Sequence, residues 1–173
     1  MTMCYARVGE IGLSGDGVYE DAWDLTKRLL HETHDRNVRP EYKNILDEMD
    51  NLVERSPREN TVGVYVSYLL SLEIERISPH GIDFERISEL SKDLYPKVVS
   101  FIKITEEEVE QTMLFAFGKS DIATRVPGGI LTLYSAAILG QLMVDVEEET
   151  EYLRPRLAAW LVRTQHHTKP AND

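Results

Sequence analysis

Between Arg125 and Asp145 the chain carries no charged residue, a run of 19 positions from Val126 to Val144. The run opens Pro127-Gly128-Gly129, which leaves about fifteen residues of continuous helix-forming apolar character from Ile130 onward. A helix needs roughly 20 apolar residues to cross a bilayer, so a buried core helix over about Ile130 to Met143 is expected and no membrane role. Within it, Ala136 and Gly140 stand four apart, where they let another backbone approach closely inside the domain.

Around this segment the apolar residues recur at helical spacing. Val18, Ala22, Leu25 and Leu29, widened by Trp23 and Leu30, predict a first helix from about Gly17 or Val18 to Asp35, capped by Asp16. Tyr42, Ile45, Leu46, Met49, Leu52 and Val53 predict a second from about Pro40 to Glu54. The linker between them is short, so the two form an antiparallel hairpin. In Ser56-Pro57-Arg58-Glu59 the serine can cap, the proline fits the first turn and the glutamate can reach back, so a third helix starts there. Its middle, from Val62 to Ile77, is apolar around most of its circumference and suggests a central helix.

Asp83 caps a fourth helix with Phe84, Ile87, Leu90, Leu94, Val98, Phe101 and Ile102 inward, and Pro96 predicts a kink or break. Thr105 with Glu108 repeats the capping box and starts a fifth helix that buries Val109, Met113 and Phe117 and closes at Gly118. The loop Lys119 to Gly129 is the place to look for ligand contact. A last helix runs from Val146 to Gln165, with Pro155 bending it or marking its start. The expectation is an all-α fold, a compact array of six or seven helices with at most one short strand. Residues 1–17 form an arm, 18–165 a single helical domain and 166–173 a disordered tail.

A chain of 173 residues is long enough to bury one core unaided, and its one cysteine, Cys4, cannot form an intrachain disulfide. With no apolar stretch near the N-terminus to read as a secretory signal, a cytoplasmic location is expected. The net charge of −11 repels phosphate backbones, and no basic stripe offsets it, so nucleic acid is not an expected partner.

The chemistry-bearing residues are sparse. Glu20, Asp24, His31 and Asp35 fall on one broad face of the first helix with His34 beside them, and carboxylates with imidazoles are a transition-metal ligand set. The face also holds Lys27 and Arg28, Asp24 with Arg28 makes an ordinary i, i+4 pair, and neither a Glu-x-x-His pair nor His-Glu-x-x-His is present. Glu20, Asp24, His31 and His34 are therefore metal candidates only, and no stoichiometric metal and no cofactor is expected. The glycine-rich Gly12 to Gly17 lacks the lysine of a phosphate-binding loop and is followed by acidic residues. No nucleophile has a visible base.

Three function classes remain. The leading one is a non-catalytic protein-binding or regulatory domain, in which Glu106, Glu107, Glu110, Glu148 and Glu151 at two helix starts meet a basic surface on another protein, with self-association as a further option. The alternative is a small-molecule- or metal-binding helical protein, an enzyme included, with a pocket near Trp23, Tyr65, Tyr68 and the uncharged helix. A structural subunit of an assembly is the third reading.

Overall fold

A computed structural model of the protein describes residues 18–35, 42–55, 61–78 and 80–167. Seven α-helices lie in this range: α1 (Val18–His34), α2 (Tyr42–Arg55), α3 (Thr61–Ile77), α4 (Phe84–Val98), α5 (Glu106–Phe115), α6 (Gly128–Leu142) and α7 (Val146–His167). One 3₁₀ turn, Ile122–Thr124, joins α5 to α6, and no strand occurs among the described residues. The fold is all-α. The expected N-terminal arm, the Ser56–Glu59 capping box and residues 168–173 lie outside the described residues.

The uncharged segment forms the centre. Every residue of α6 from Leu131 to Gly140 is buried, because α1, α3, α4 and α5 all pack on it. α3, expected to be central, is likewise touched from several sides, by α1, α2, α5, α6 and α7. It buries Val62, Tyr65, Val66, Leu69, Leu70 and Ile74, while Val64 is 42% exposed. Part of its wide apolar face also borders a cavity.

Local signals set the helix ends. Thr105 and Glu108 form the capping box, the Glu108 amide donating to Thr105 Oγ1 (3.2 Å) and the Thr105 amide to Glu108 Oε2 (2.8 Å). α5 stops at Phe115, short of the expected Phe117: Gly118 adopts φ +67° and the Lys119 amide returns to the Leu114 carbonyl (2.9 Å). Asp83 caps α4 by accepting from the Glu85 amide (3.0 Å). α4 runs unbroken through Pro96, where a break or kink is expected just before the proline, and it ends at Val98 rather than Ile102. Phe84, expected inward, is 62% exposed; it is the first residue of α4, one turn ahead of Ile87, where no neighbour covers it.

α7 begins at Val146 with Asp145 as its cap: the Glu148 amide donates to Asp145 Oδ1 (2.9 Å), and Glu149 Oε1 accepts from the Val144 and Asp145 amides. The helix continues through the exposed Pro155 to His167, so His166 and His167 are helical rather than part of the tail. α6 and α7 meet at a 116° bend. No single described helix is long and apolar enough to cross a membrane.

α1 is fixed to α6 by its last turn. Thr33 Oγ1 lies 3.0 Å from the Ala136 carbonyl as well as 2.9 Å from the Leu29 carbonyl of its own helix, His34 Nδ1 meets the Gly140 carbonyl (2.7 Å), and Gln141 Nε2 donates to the Thr33 carbonyl (2.8 Å). The Thr33 and Gly140 carbonyls, in the last turns of their helices, are thereby met by side chains of the facing helix.

Candidate functional site

An open cavity lies between α3, the C-terminal end of α5, the 3₁₀ turn, α6 and α7. Its volume is about 580 Å³, inside the range of small-molecule sites. Its α3 wall is Gly63, Val64, Ser67, Tyr68 and Ser71; its α6 wall is Gly128, Leu131, Thr132 and Ser135. Phe115, Ala116 and Phe117 close one side, Ala123 and Trp160 another. Among the described lining residues none is charged, and none is a histidine or cysteine.

The space arises from residue size. Gly63, Ser67 and Ser71 repeat every four residues along α3, and Gly128, Thr132 and Ser135 follow a similar course on α6. Each triplet makes a shallow stripe on one helix face, and the cavity lies between the two stripes. Phe117 lies on the wall and is half-buried, because the Gly118 turn carries it off α5. Tyr68 and Trp160 stack with ring centroids 4.6 Å apart and planes at 16°, tying α7 to α3 beside the cavity.

The hydroxyls differ in what they can offer. The Ser71 hydroxyl donates to the Tyr68 carbonyl (2.7 Å), and that of Thr132 donates to the Gly128 carbonyl (2.9 Å). Ser135 is a buried residue that also lines the cavity.

The three aromatic pocket candidates separate. Tyr68 lines the cavity, whereas Trp23 and Tyr65 are 4% and 2% exposed members of the core and do not border it. Burial pushes the Tyr65 hydroxyl well above the ordinary tyrosine range, and neighbouring Tyr19 and Glu20 add to this. Trp23 instead meets the Arg154 guanidinium, 5.6 Å from its ring centroid.

The first-helix residues also disperse. Glu20 pairs with Arg154 (3.0 Å), His31 Nε2 approaches Glu147 Oε2 (3.3 Å), His34 faces the Gly140 carbonyl, and Asp24 is exposed. Arg28 pairs with Glu48 of α2 (2.7 Å) instead of the expected Asp24. Among the described residues no group of three or more His, Cys, Asp or Glu side chains could hold a metal ion.

The acidic clusters divide into two kinds. Glu147 binds Lys27 (2.7 Å) and His31, Glu151 lies 3.5 Å from Lys27, and Glu149 caps its own helix. The Lys27 hydrogen bond, with His31 next, holds the Glu147 carboxyl below its ordinary range, and the same bond raises Lys27. Glu106, Glu107, Glu110 and Glu148, by contrast, make no ion pair among the described residues; Glu106, Glu107 and Glu148 are exposed and Glu110 is half-buried.

Of the groove, the sequence reading caught Tyr68, α6 and the loop after Lys119. It missed Phe115, Phe117, Ser135 and Trp160. The signal available was the pair of small and hydroxyl stripes on two otherwise apolar helices. Comparison with known proteins gives no match: no family model, no curated protein and no solved structure matches the chain.

Proposed function

We propose that this chain is a small-molecule-binding helical domain that takes an uncharged, largely apolar ligand in the groove between α3, α5, α6 and α7. The observation that carries the reading is the cavity itself, about 580 Å³ with apolar walls and a few hydroxyls, the composition of a ligand site. The described lining residues are apolar, aromatic or hydroxyl-bearing, a composition suited to holding a largely apolar ligand. A ligand-observed NMR screen of uncharged fragments against the wild type and Ser67→Trp tests it. Ser67 is half-buried on the cavity wall, so a tryptophan there fills the space from its edge. Fragments that bind the wild type and not the variant are the expected result; equal binding to both, or none to either, overturns the reading.

A second reading has its own support. Glu106, Glu107 and Glu148 are exposed and make no ion pair among the described residues, while neighbouring carboxylates are engaged within the fold. A basic protein surface would complement them, with Glu110 and Glu151 contributing at the margins. Their replacement by glutamine is expected to slow association with such a partner and flatten its salt dependence. Unchanged association rates would return these residues to capping and solubility.

A further inference from the structure

We propose that residues 3–8 of the N-terminal arm dock in this groove in cis, so that the chain carries its own competitor for the ligand. Such docking would regulate the site of the ligand-binding reading above and rests on that reading. The topology brings the arm to the groove. Glu20 and Trp23 meet Arg154 while Lys27 meets Glu147, so α1 runs antiparallel to α7. Tyr68 stacks on Trp160 while Arg76 approaches Glu149, so α3 does the same. Val18 therefore starts α1 at the end of the bundle where α3 begins and α7 finishes, the end that supplies Gly63, Val64 and Trp160 to the groove wall. Trp160 follows Arg154 by six residues, about 9 Å of helix. The ten positions from Val8 to Val18 can span about 33 Å, enough to double back and reach it.

Composition selects this segment over the others outside the described residues. Residues 36–41, 56–60 and 168–173 hold one large apolar side chain between them, Val38, whereas residues 3–8 hold Met3, Tyr5 and Val8 together with Cys4 and Ala6. The groove wall, with Tyr68, Phe115, Phe117 and Trp160 among its residues, is a surface on which such side chains leave water. Arg7 is the one charge in the segment. In an open groove its stem can lie along the wall while the guanidinium stays hydrated.

NMR of the ligand-free full chain tests the docking. Cys4→Ala removes the one native thiol, and Glu10→Cys then carries a nitroxide beside the segment. The Trp160 indole N–H, assigned with Trp160→Phe, and the Gly63 and Ser67 amides should broaden and recover on reduction with ascorbate. Adding Tyr5→Asp and Val8→Asp should remove most of that broadening, because the tether stays while its apolar anchor is lost. Broadening that is absent, or unchanged by these two substitutions, overturns the docking and leaves the ligand-binding reading standing. Competition is read separately, by fragment affinity. A short tether gives an effective concentration of the order of millimolar, so a segment with an affinity of about 0.1 mM is docked about nine-tenths of the time and weakens a ligand about tenfold. Fragments that bind the wild type should accordingly bind the chain with Tyr5→Asp and Val8→Asp about tenfold tighter. Equal affinity overturns the competition. If the arm docks and no fragment binds either chain, the ligand-binding reading falls and the groove is the seat of the arm alone.

Discussion

A Cβ placed on Gly140 would stand 2.5 Å from Thr33 Oγ1 and 3.0 Å from the Thr33 carbonyl carbon. The first contact could be relieved by a side-chain rotation, but the second is with backbone. The close approach lets Thr33 reach the Ala136 carbonyl and Gln141 reach the Thr33 carbonyl, so one missing methyl group permits a set of interhelical hydrogen bonds.

Gly140→Ala is therefore expected to destabilise the protein even though alanine is the better helix former. Overpacking costs about 1–3 kcal/mol, and the propensity gain offsets about 1 kcal/mol of it. A net loss of about 1–2 kcal/mol by urea denaturation is expected. A stabilised variant would mean that α1 and α6 separate without penalty.

Leu69→Ala should cost about 2–5 kcal/mol, since Leu69 is fully buried on α3 in the main core. A loss under about 1 kcal/mol in the same measurement would place it outside the load of the α3–α6 contact.

How far these features can be read without coordinates depends on whether the cause is local. The Thr105–Glu108 box, the Asp83 cap and the uncharged run at α6 are decided within a few residues, and sequence reasoning reaches them. Gly140 was legible as a close-approach position because glycine inside an apolar helix is otherwise a cost, but its partner Thr33 was not, since the pairing spans more than a hundred positions. The same limit explains Arg28, whose Glu48 partner on α2 replaces the local Asp24. It also explains the groove. Tyr68 and Trp160 meet only once α7 folds back on α3, and the Gly63–Ser67–Ser71 stripe reads as a void only when a second stripe faces it. The wide apolar face of α3 announces a helix packed on several sides, as it is, but one helix alone does not show that part of that face walls a cavity.

The link between α1 and α7 should weaken at both ends of the pH scale. Lys27 lowers the Glu147 pKa in the folded protein, with His31 adding to it, so the contribution is present above the unfolded carboxylate pKa and is lost as pH falls through the folded one. Lys27 is raised by Glu147, so its share is complete below the unfolded lysine pKa and disappears as pH rises through the folded value. Glu147→Gln should consequently lower the melting temperature slightly at neutral pH, and the difference from wild type should vanish in acid, below the ordinary glutamate range. A difference that persists unchanged at pH 2 would trace the effect to packing or capping instead of charge.

Glu73 and Arg76 offer a sharper test of what holds the C-terminal end of α3. The Glu73 side chain is 1% exposed, and Arg76, one turn on, binds both of its oxygens while also lying 3.8 Å from Glu149 at the start of α7. Removing the guanidinium with Arg76→Met leaves a buried carboxylate without its counter-charge, which costs about 3 kcal/mol or somewhat less here, because Arg76 is half-exposed and water can take part of its place. The asymmetry of such pairs predicts non-additivity: replacing both partners with apolar residues of similar size leaves no orphaned charge. Glu73→Leu combined with Arg76→Met should therefore be at least about 1 kcal/mol more stable than Arg76→Met alone. Denaturant curves for the wild type, both single variants and the double variant close the cycle. A double variant that loses the sum of the single losses would show that Glu73 and Arg76 act independently, and that the buried carboxylate is held by groups other than its arginine.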